Sequence, residues 1–362
     1  MTSEDMVNEY VNYIKGLTLG PLYPSDSYRS EVFTKALTFL DQHHSLNNQS
    51  YANFVKCVDL KNPTPSEKHV PAEIFKIVNL KTSYMKSSLE RVYRSSGTNS
   101  EARSLIFIDS ATSSLQQTVF NSLFKHWTGG ARLPMLILHP PQDRNSVRDA
   151  SLAASSAFKL FSKGIYYPIS RRGEIDPEAL ELYLKSVRDH DGGYVFGFSF
   201  QVYIFLQQLQ SLNSRLKAEI LNTNSRIYLV HGGGWKRLAD LKIDAATLLS
   251  EMRRFFGNIY ELEYYGMVEQ LGSLFFKCNA GFFHPSIFSE IEVYDSHGGS
   301  LEDGSEGLIG VTSLLPISYP GHRLLTSDIG RMYRSCRCGL AGRSFSLDRR
   351  VESRPLRGCG NV

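Results

Sequence analysis

A cysteine near the C-terminus is the most conspicuous nucleophile in this 362-residue sequence. Cys359 lies three residues from the end and follows a basic stretch, residues 343–357, in which five arginines outnumber two acidic residues. Positive charge lowers the pKa of a thiol from its ordinary value of about 8.5 and increases the thiolate fraction. A thiolate there can attack an activated acyl group and hold it as a thioester. The alternative is a solvated tail with an idle thiol.

Three other cysteines and one histidine have spacings that suit a metal ion. Five residues separate Cys278 from His284, and one residue separates Cys336 from Cys338. Three thiolates and an imidazole complete the tetrahedral donor set of a structural Zn²⁺ site. Buried free cysteines beside a surface histidine are the alternative. Cys57 has no such partner nearby in the sequence, and we predict that it lies in the core.

A hydroxyl-rich turn precedes the apolar run Leu105–Ile108. It contains Ser95, Ser96, Gly97 and Thr98. Hydroxyl and backbone N–H groups around a glycine can wrap a polyphosphate, because a small residue lets the backbone approach the anion closely. An ordinary polar loop has the same composition.

A second glycine-rich turn follows the apolar run Ile227–Val230. The chain continues through His231 into three glycines, and Lys236 follows two residues later: Gly232, Gly233, Gly234. A ligand bound beyond the carboxyl end of a strand would contact this backbone. A tight strand-to-helix turn without a ligand is the alternative.

Aromatic and acidic residues further along the chain are suited to a nucleotide. Tyr265, Gly266 and Glu269 follow another β-rich run. Asp328 stands in the segment Thr-Ser-Asp-Ile-Gly, where a carboxylate can accept hydrogen bonds from ribose hydroxyls.

Helices are predicted from apolar residues that recur at helical spacing. In the N-terminal region, Ser30 is predicted to cap a helix that carries an apolar face of Val32, Phe33, Ala36, Leu37 and Leu40. Asp176 and Pro177 predict the start of a second helix, and Asp244 the start of a third that ends near Gly257.

Strands are predicted where short apolar runs alternate with these helices. They are Leu105–Ile108, Met135–Leu138 and Ile227–Val230, followed after Gly257 by Ile287–Val293 and Leu308–Leu315. We therefore expect an α/β protein with a helix-covered sheet and an antiparallel or mixed sheet in a β-rich region. The aromatic run from Phe196 to Phe205 is suited either to an acyl channel or to ordinary core.

In this order, the segments resemble the adenylate-forming superfamily, in which a Ser/Thr/Gly loop, a glycine turn, a Tyr-Gly-x-x-Glu motif and a late Asp bind ATP and Mg²⁺. The closer resemblance is to the LuxE-type acyl-protein synthetases, within the branch that includes the phenylacetate-activating ligases. It rests on five segments between about residue 65 and the end. They are Ile74-Phe75-Lys76, Leu80-Lys81-Thr82, Ser95–Thr98, His231–Lys236 and Arg357–Asn361.

The resemblance implies the large adenylation domain of that superfamily, with layered sheets flanked by helices and a β-rich subdomain. We expect this domain to span residues 1–342, with a helical region over about 1–90. In place of the superfamily's small C-terminal domain we expect a basic tail, residues 343–362, that carries Cys359. The lysine that the small domain supplies elsewhere has no counterpart in this sequence.

The resemblance also implies roles for single residues. A fatty acid would be activated by ATP as an acyl-adenylate, with Mg²⁺ near Glu269, and Cys359 would accept the acyl group for an acyl-accepting protein such as a reductase subunit. Lys76 and Lys236 are candidates for stabilising charge on the phosphate, and Arg350 for the superfamily's hinge arginine. Asn99-Ser100 in the phosphate turn and Ser327 before Asp328 replace residues that are usually glycine.

Composition excludes several other classes. Hydrophobic residues at 42% argue against disorder, and a net charge of +4 from 40 basic and 36 acidic residues is too small to predict a nucleic-acid partner. The acidic start and the absence of an apolar run of about 20 residues predict a cytoplasmic location without stable membrane insertion. Two other functions stay open: a ligase that uses coenzyme A, with Cys359 inert, and a nucleotide-binding scaffold that has lost catalysis.

Overall fold

The computed structural model describes residues 2–59, 63–84, 91–95, 103–141, 148–149, 157–212, 216–217, 220, 225–233 and 244–351. The chain forms two compact units, each assembled from separate segments. The first consists of Met1–Arg91, Ala102–Leu115 and Cys278–Val362, and the second of Val92–Glu101 and Gln116–Lys277. The boundary that we predict between residues 342 and 343 stays a prediction.

Helices and strands both contribute to the described chain, which is mixed α/β. The α-helices are α1 Ser3–Gly16, α2 Asp26–Asn47, α3 Gln49–Asp59, α4 Ser110–Thr128, α5 Pro177–His190, α6 Ser199–Leu209 and α7 Ala245–Phe256. The first strands are β1 Val70–Pro71, β2 Arg91–Arg94, β3 Leu105–Ile108, β4 Leu133–Ile137, β5 Arg148–Asp149, β6 Ser162–Tyr166, β7 Gly192–Phe198 and β8 Arg226–Gly232. The later strands are β9 Ile259–Tyr265, β10 Phe275–Lys277, β11 Phe283–His284, β12 Ser289–Tyr294, β13 Glu306–Ser313, β14 Arg323–Tyr333 and β15 Ser344–Arg350.

An antiparallel sheet forms the body of the first unit. Its order is β12-β13-β14-β15-β11, and β1 pairs in parallel with β14. The predicted strands near 287–293 and 308–315 are therefore confirmed as β12 and β13. Side chains of β12 alternate between buried and half-buried, which is the period of a strand with one face on a core.

Helix α2 shows both a correct and a wrong prediction. The apolar face is confirmed for Val32, Phe33, Ala36 and Leu40, which are buried, whereas Leu37 at its edge is half-buried. The predicted N-cap is wrong: the helix begins at Asp26 after Ser25, and Ser30 lies one turn inside it. A serine hydroxyl does not by itself start a helix, and the buried face of α2 continues toward the N-terminus as far as the buried side chain of Arg29.

A mostly parallel sheet forms the body of the second unit. Its order is β10-β9-β8-β7-β4-β6, with every described pair parallel except the antiparallel β10 and β9. The predicted strands at 135–138 and 227–230 are confirmed as β4 and β8. Because β7 and β8 are buried almost throughout, they are apolar on both faces, as in other helix-covered parallel sheets.

Local capping chemistry explains where the helices of the second unit begin. Asp176 accepts hydrogen bonds from the backbone N–H groups of Glu178 and Ala179, and Pro177 occupies the first helical position of α5. Asp244 accepts from the N–H of Thr247 at 2.7 Å and caps α7, which ends at Gly257. Both predicted helix starts are confirmed.

One face of the parallel sheet packs against α5, α6 and α7. The core of this layer includes Leu180, Val195, Phe205, Leu229 and Met252. Phe196 points to the opposite face, where its ring packs on Phe158 at 4.8 Å. The aromatic run from Phe196 to Phe205 is thus divided between the two faces, which favours ordinary core over a single channel. None of the described helices is long and apolar enough to cross a membrane.

Candidate functional site

The carboxyl ends of β8 and β9 lie side by side in the second unit. The parallel register pairs Gly232 with Tyr264, one residue before Tyr265. A Cβ at Gly232 would overlap the carbonyl oxygen of Tyr264, so the close approach of these two strands requires glycine there. Gly233 has a φ of 57°, a left-handed conformation that also favours glycine. These two glycines turn the chain at the strand edge where ligands bind in open α/β sheets.

The predicted adenine and magnesium motif follows β9 without a break. Tyr265 ends the strand, Gly266 is exposed, and Glu269 is half-buried in the short 3₁₀ helix Val268–Gln270. The ring of Tyr265 lies 5.8 Å from that of Phe275 on the neighbouring strand. The motif therefore lies at the same sheet edge as Gly232 and Gly233.

Several predicted site residues lie outside the described part of the chain: Ser96, Gly97, Thr98, Gly234, Lys236 and Cys359. Ser95 is described and half-buried, directly after β2. Their predicted roles stay predictions.

In the first unit, Asp328 and Arg350 form an ion pair between adjacent strands. They are direct partners in the register of β14 and β15, and Arg350 Nε lies 3.1 Å from Asp328 Oδ1. The Asp328 side chain is 15% exposed and that of Arg350 is 59% exposed. The carboxylate is thus fixed in position, while the guanidinium remains open to solvent.

The serine that replaces glycine before Asp328 has a partner of its own. Ser327 Oγ donates a hydrogen bond to a carboxylate oxygen of Glu73, which belongs to the 3₁₀ helix Ala72–Lys76. The departure from the superfamily pattern therefore has a local structural reason. Lys76, at the end of that 3₁₀ helix, has an exposed side chain.

The four predicted metal ligands of the first unit converge. The donor atoms of Cys278, His284, Cys336 and Cys338 all lie within 4.8 Å of one another. Cys278 Sγ is 3.7 Å from Cys336 Sγ, and Cys338 Sγ is 3.4 Å from His284 Nε2. A tetrahedral Zn²⁺ ion with the usual bond lengths has edges of about 3.8 Å between sulfurs and about 3.5 Å between sulfur and nitrogen.

Two tight turns bring the thiols together. Gly281 N donates to Cys278 O, and Gly339 N donates to Cys336 O, with both glycines at a φ of 88°. Burial lowers the pKa of His284 to about 4, so the imidazole is neutral at pH 7, the form that binds a metal. Cys57, by contrast, is exposed on α3, and its predicted place in the core is wrong.

Sequence reasoning missed one further group of polar side chains in the second unit. Ser199 Oγ lies 3.1 Å from His231 Nδ1, and His231 Nε2 lies 3.0 Å from Glu261 Oε1. His231 belongs to a segment that the sequence singled out, but Ser199 and Glu261 are each about 30 residues away. Only the register of β7, β8 and β9 brings the three together.

The family model described as "Acyl-protein synthetase, LuxE" matches residues 6–362, which is nearly the whole chain. The chain belongs to the LuxE family. The sequence resemblance to the LuxE family is therefore confirmed, whereas no curated protein matches the chain.

Solved structures similar to this LuxE-family chain are adenylate-forming ligases. With 2-hydroxyisobutyryl-CoA ligase in the thioesterification state, bound to 2-HIB-AMP and CoA, the TM-score is 0.61 at 12% identity, over 89% of this chain and 68% of that chain. With the postadenylation state of that ligase, bound to 2-HIB-AMP, the TM-score is 0.60 at 12% identity, over 90% of this chain and 67% of that chain. This likeness shows the fold of the adenylation domain, as predicted.

An ATP-bound chimeric RpMatB-BxBclM protein is also similar, with a TM-score of 0.45 and 16% identity over 72% of this chain. The chain spans 47% of that protein. It thus covers from about half to about two thirds of the length of these relatives.

Proposed function

We propose that this LuxE-family chain activates a fatty acid with ATP and Mg²⁺ as an acyl-adenylate. Cys359 then accepts the acyl group as a thioester and passes it to an acyl-accepting protein such as a reductase subunit. The observation that carries the proposal is the family match over residues 6–362. The adenylation-domain fold supports the activation step.

In the second unit, the proposed nucleotide contacts come from the adjacent ends of β8 and β9. The backbone of Gly232, Gly233 and Gly234 and the side chain of Tyr265 would contact the adenine. Glu269 supplies a half-buried carboxylate, the ligand type that Mg²⁺ prefers. When bound, Mg²⁺ neutralises charge that develops on the transferring phosphate. The hydroxyls of Ser95, Ser96 and Thr98 and the amine of Lys236 are the proposed phosphate donors of this unit, and Lys76 of the first unit stays a separate candidate.

In the first unit, Asp328 is the proposed acceptor for the ribose hydroxyls. Its carboxylate is already held in place by Arg350, so binding costs little side-chain entropy. Arg350 is exposed enough to exchange this partner for a phosphate or ribose oxygen.

We also propose that Cys278, His284, Cys336 and Cys338 hold a structural Zn²⁺ ion. The donor types fit a closed tetrahedral site, and so do the sulfur–sulfur distance of 3.7 Å and the sulfur–nitrogen distance of 3.4 Å. Such a site leaves no open position for a reacting group. The ion would fasten the turn before β11 to the segment between β14 and β15, and so stabilise the strand that carries Arg350.

A labelling experiment tests the acyl-transfer proposal. The purified chain is incubated with labelled fatty acid, ATP and Mg²⁺, and compared with Cys359→Ser and with Cys57→Ser, which removes another exposed thiol. We expect label on the wild type and on Cys57→Ser that hydroxylamine removes, and no label on Cys359→Ser. Acyl-AMP discharged only by coenzyme A would identify a CoA ligase. A chain that forms no adenylate with any acid would be a nucleotide-binding scaffold.

A further inference from the structure

Three polar side chains form a hydrogen-bonded chain in the second unit. Ser199 is the first residue of α6 and directly follows β7, while His231 is in β8 and Glu261 in β9. The register pairs Gly197 with His231 and His231 with Glu263, which places these side chains near the carboxyl ends of three neighbouring strands. The distances of 3.1 and 3.0 Å are those of hydrogen bonds.

The charge of Glu261 determines which atoms donate in the hydrogen bonds among Ser199, His231 and Glu261. Burial raises the pKa of Glu261, but the hydrogen bond from His231 and the charge of Lys277 outweigh burial. The pKa of Glu261 therefore lies below its usual value, and the carboxylate is ionised at neutral pH. An ionised carboxylate only accepts hydrogen bonds, and His231 Nε2 therefore donates to it. With its proton on Nε2, the imidazole can accept a hydrogen bond from Ser199 Oγ–H at Nδ1, 3.1 Å away. This is the resting arrangement of a serine, a general base and an orienting carboxylate.

The surroundings favour attack by Ser199 on a carbonyl carbon. Helix α6 has 11 residues and begins at Ser199, so its N-terminal dipole stabilises negative charge that develops beside the hydroxyl. Ser199 and His231 are fully buried, which strengthens the electrostatic interactions within the chain of groups. A polar pair here is costly for packing alone, because Leu229, two residues before His231 on the same face, belongs to the apolar core.

We propose that Ser199, His231 and Glu261 form a second, ATP-independent centre that hydrolyses fatty acyl esters and thioesters. Because Ser199 and His231 are fully buried beside the apolar layer, the proposed substrate carries a hydrocarbon chain that enters this layer, and a short polar ester is a poor substrate. The centre would release acyl groups that the chain has accepted or that another protein presents.

The reaction has two balanced steps. Ser199 Oγ attacks the acyl carbonyl carbon and its proton moves to His231 Nδ1; the bond to the thiolate or alkoxide leaving group breaks, and that group takes the proton. Water then attacks the acyl-serine, His231 accepts a proton from the water, and Ser199 leaves with that proton as the free fatty acid departs. Glu261 is a positioning residue, because it contacts His231 and not the reacting atoms.

The test uses the full chain without ATP. The probes are p-nitrophenyl palmitate, p-nitrophenyl acetate and a long-chain alkyl fluorophosphonate, which reacts only with activated serines. We expect a phosphonyl adduct on Ser199 by peptide mass spectrometry and faster hydrolysis of palmitate than of acetate. Hydrolysis should fall at least about 100-fold in Ser199→Ala and in His231→Gln. Ser162→Ala is the matched control, because Ser162 is also buried but donates to the Lys159 carbonyl.

Glu261→Gln separates positioning from packing. We expect it to lower the hydrolysis rate and change its pH profile, because an amide no longer holds the imidazole in one tautomer. An absence of adduct on wild-type Ser199, or equal hydrolysis by wild type and a folded Ser199→Ala, would overturn the proposal and leave a structural network. Acyl-adenylate formation, measured in the same preparations, reports the proposed function separately, so the two proposals can fail independently.

Discussion

At the scale of single residues, Asp328 shows how a structural contact and a proposed ligand contact coincide. Its pairing with Arg350 follows from the β14 and β15 register, and the guanidinium is more than half exposed. Exposed ion pairs contribute only about 0–1 kcal/mol to the free energy of unfolding. Because the guanidinium is open to solvent, we expect this pair to contribute little to stability.

We predict that Asp328→Asn lowers the rate of acyl-adenylate formation by about tenfold to hundredfold, because a charged acceptor for the ribose is lost. The free energy of unfolding should change by less than about 1 kcal/mol. Pyrophosphate release and urea denaturation measure the two effects. A variant with unchanged adenylation would remove Asp328 from the nucleotide site, and Asp348→Asn, in the exposed pair with Arg331, is the control.

At the scale of elements, glycine determines how closely β8 and β9 approach at their carboxyl ends. Gly232 faces the Tyr264 carbonyl, and no L side chain fits between them. The consequence extends to the adjacent Tyr265 and Gly233, whose positions depend on the same pairing.

We predict that Gly232→Ala costs at least about 3 kcal/mol of unfolding free energy, because the overlap is with backbone and cannot be relieved by a side-chain rotation. Gly16→Ala is the matched control: Gly16 ends α1 with helical dihedral angles and has no atom within 4 Å of an added Cβ. That variant should gain about 0.5–1 kcal/mol. Equal stability of the two variants in urea would contradict this account of the strand edge.

The cysteine-histidine cluster also acts at the scale of elements, since it joins two turns that are more than 50 residues apart in sequence. We predict about one Zn²⁺ per chain after expression with zinc, and a lower melting temperature after chelation, because metal binding contributes to folding free energy. Cys336→Ser and Cys338→Ser should lose the metal, whereas Cys57→Ser should retain it. Less than about 0.2 equivalents of zinc in the wild type would contradict the proposed site.

At the scale of the whole molecule, several imidazoles of the described residues are buried. In the first unit, His43, His44, His69 and His322 are buried. Burial lowers the pKa of His43 and of His69 to about 4, and it also lowers the pKa of His44 and His322. Their hydrogen bonds, such as that between His43 Nε2 and the Ile317 carbonyl at 3.1 Å, raise the pKa but do not outweigh burial.

These shifts make stability depend on pH. An unfolded imidazole has a pKa of about 6.5, so between pH 6.5 and 4 the unfolded chain binds more protons than the folded one. The stabilisation is fully present above pH 6.5 and is lost as the pH falls toward the folded-state pKa. Burial raises the pKa of Asp41, but hydrogen bonds and charges of His322 and Arg323 bring it well below its ordinary value, so its contribution is lost only below about pH 4.

We predict that the free energy of unfolding falls between pH 7 and pH 5, by on the order of 2 kcal/mol each for His43 and His69. Urea denaturation across this range measures the slope. His43→Gln should make the unfolding free energy depend less on pH, because one buried imidazole is removed. Substitution of the exposed His297 should leave this pH dependence unchanged. A stability that is flat from pH 7 to pH 5 would contradict the neutral, buried state of the four histidines.

Local sequence decided the elements because their physical causes act within a few residues. Asp176 and Asp244 cap helices through N–H groups two or three residues ahead, and the apolar period of α2 repeats every turn. The metal ligands could be predicted for the same reason, because Cys278 and His284 lie in one short segment and Cys336 and Cys338 in another. The start of α2 and the exposure of Cys57 were predicted wrongly, because both depend on what packs against the helix.

Strand register and the meeting of distant turns were decided only by the tertiary structure. The sequence supplied the thiols and the imidazole, but their convergence within 4.8 Å requires β11 and the segment after β14 to fold into one unit. In the same way, Ser199, His231 and Glu261 become neighbours through two parallel pairings whose partners are about 30 residues apart. Parallel pairing depends on contacts between whole strands and their covering helices, and these contacts cannot be predicted from a short sequence motif.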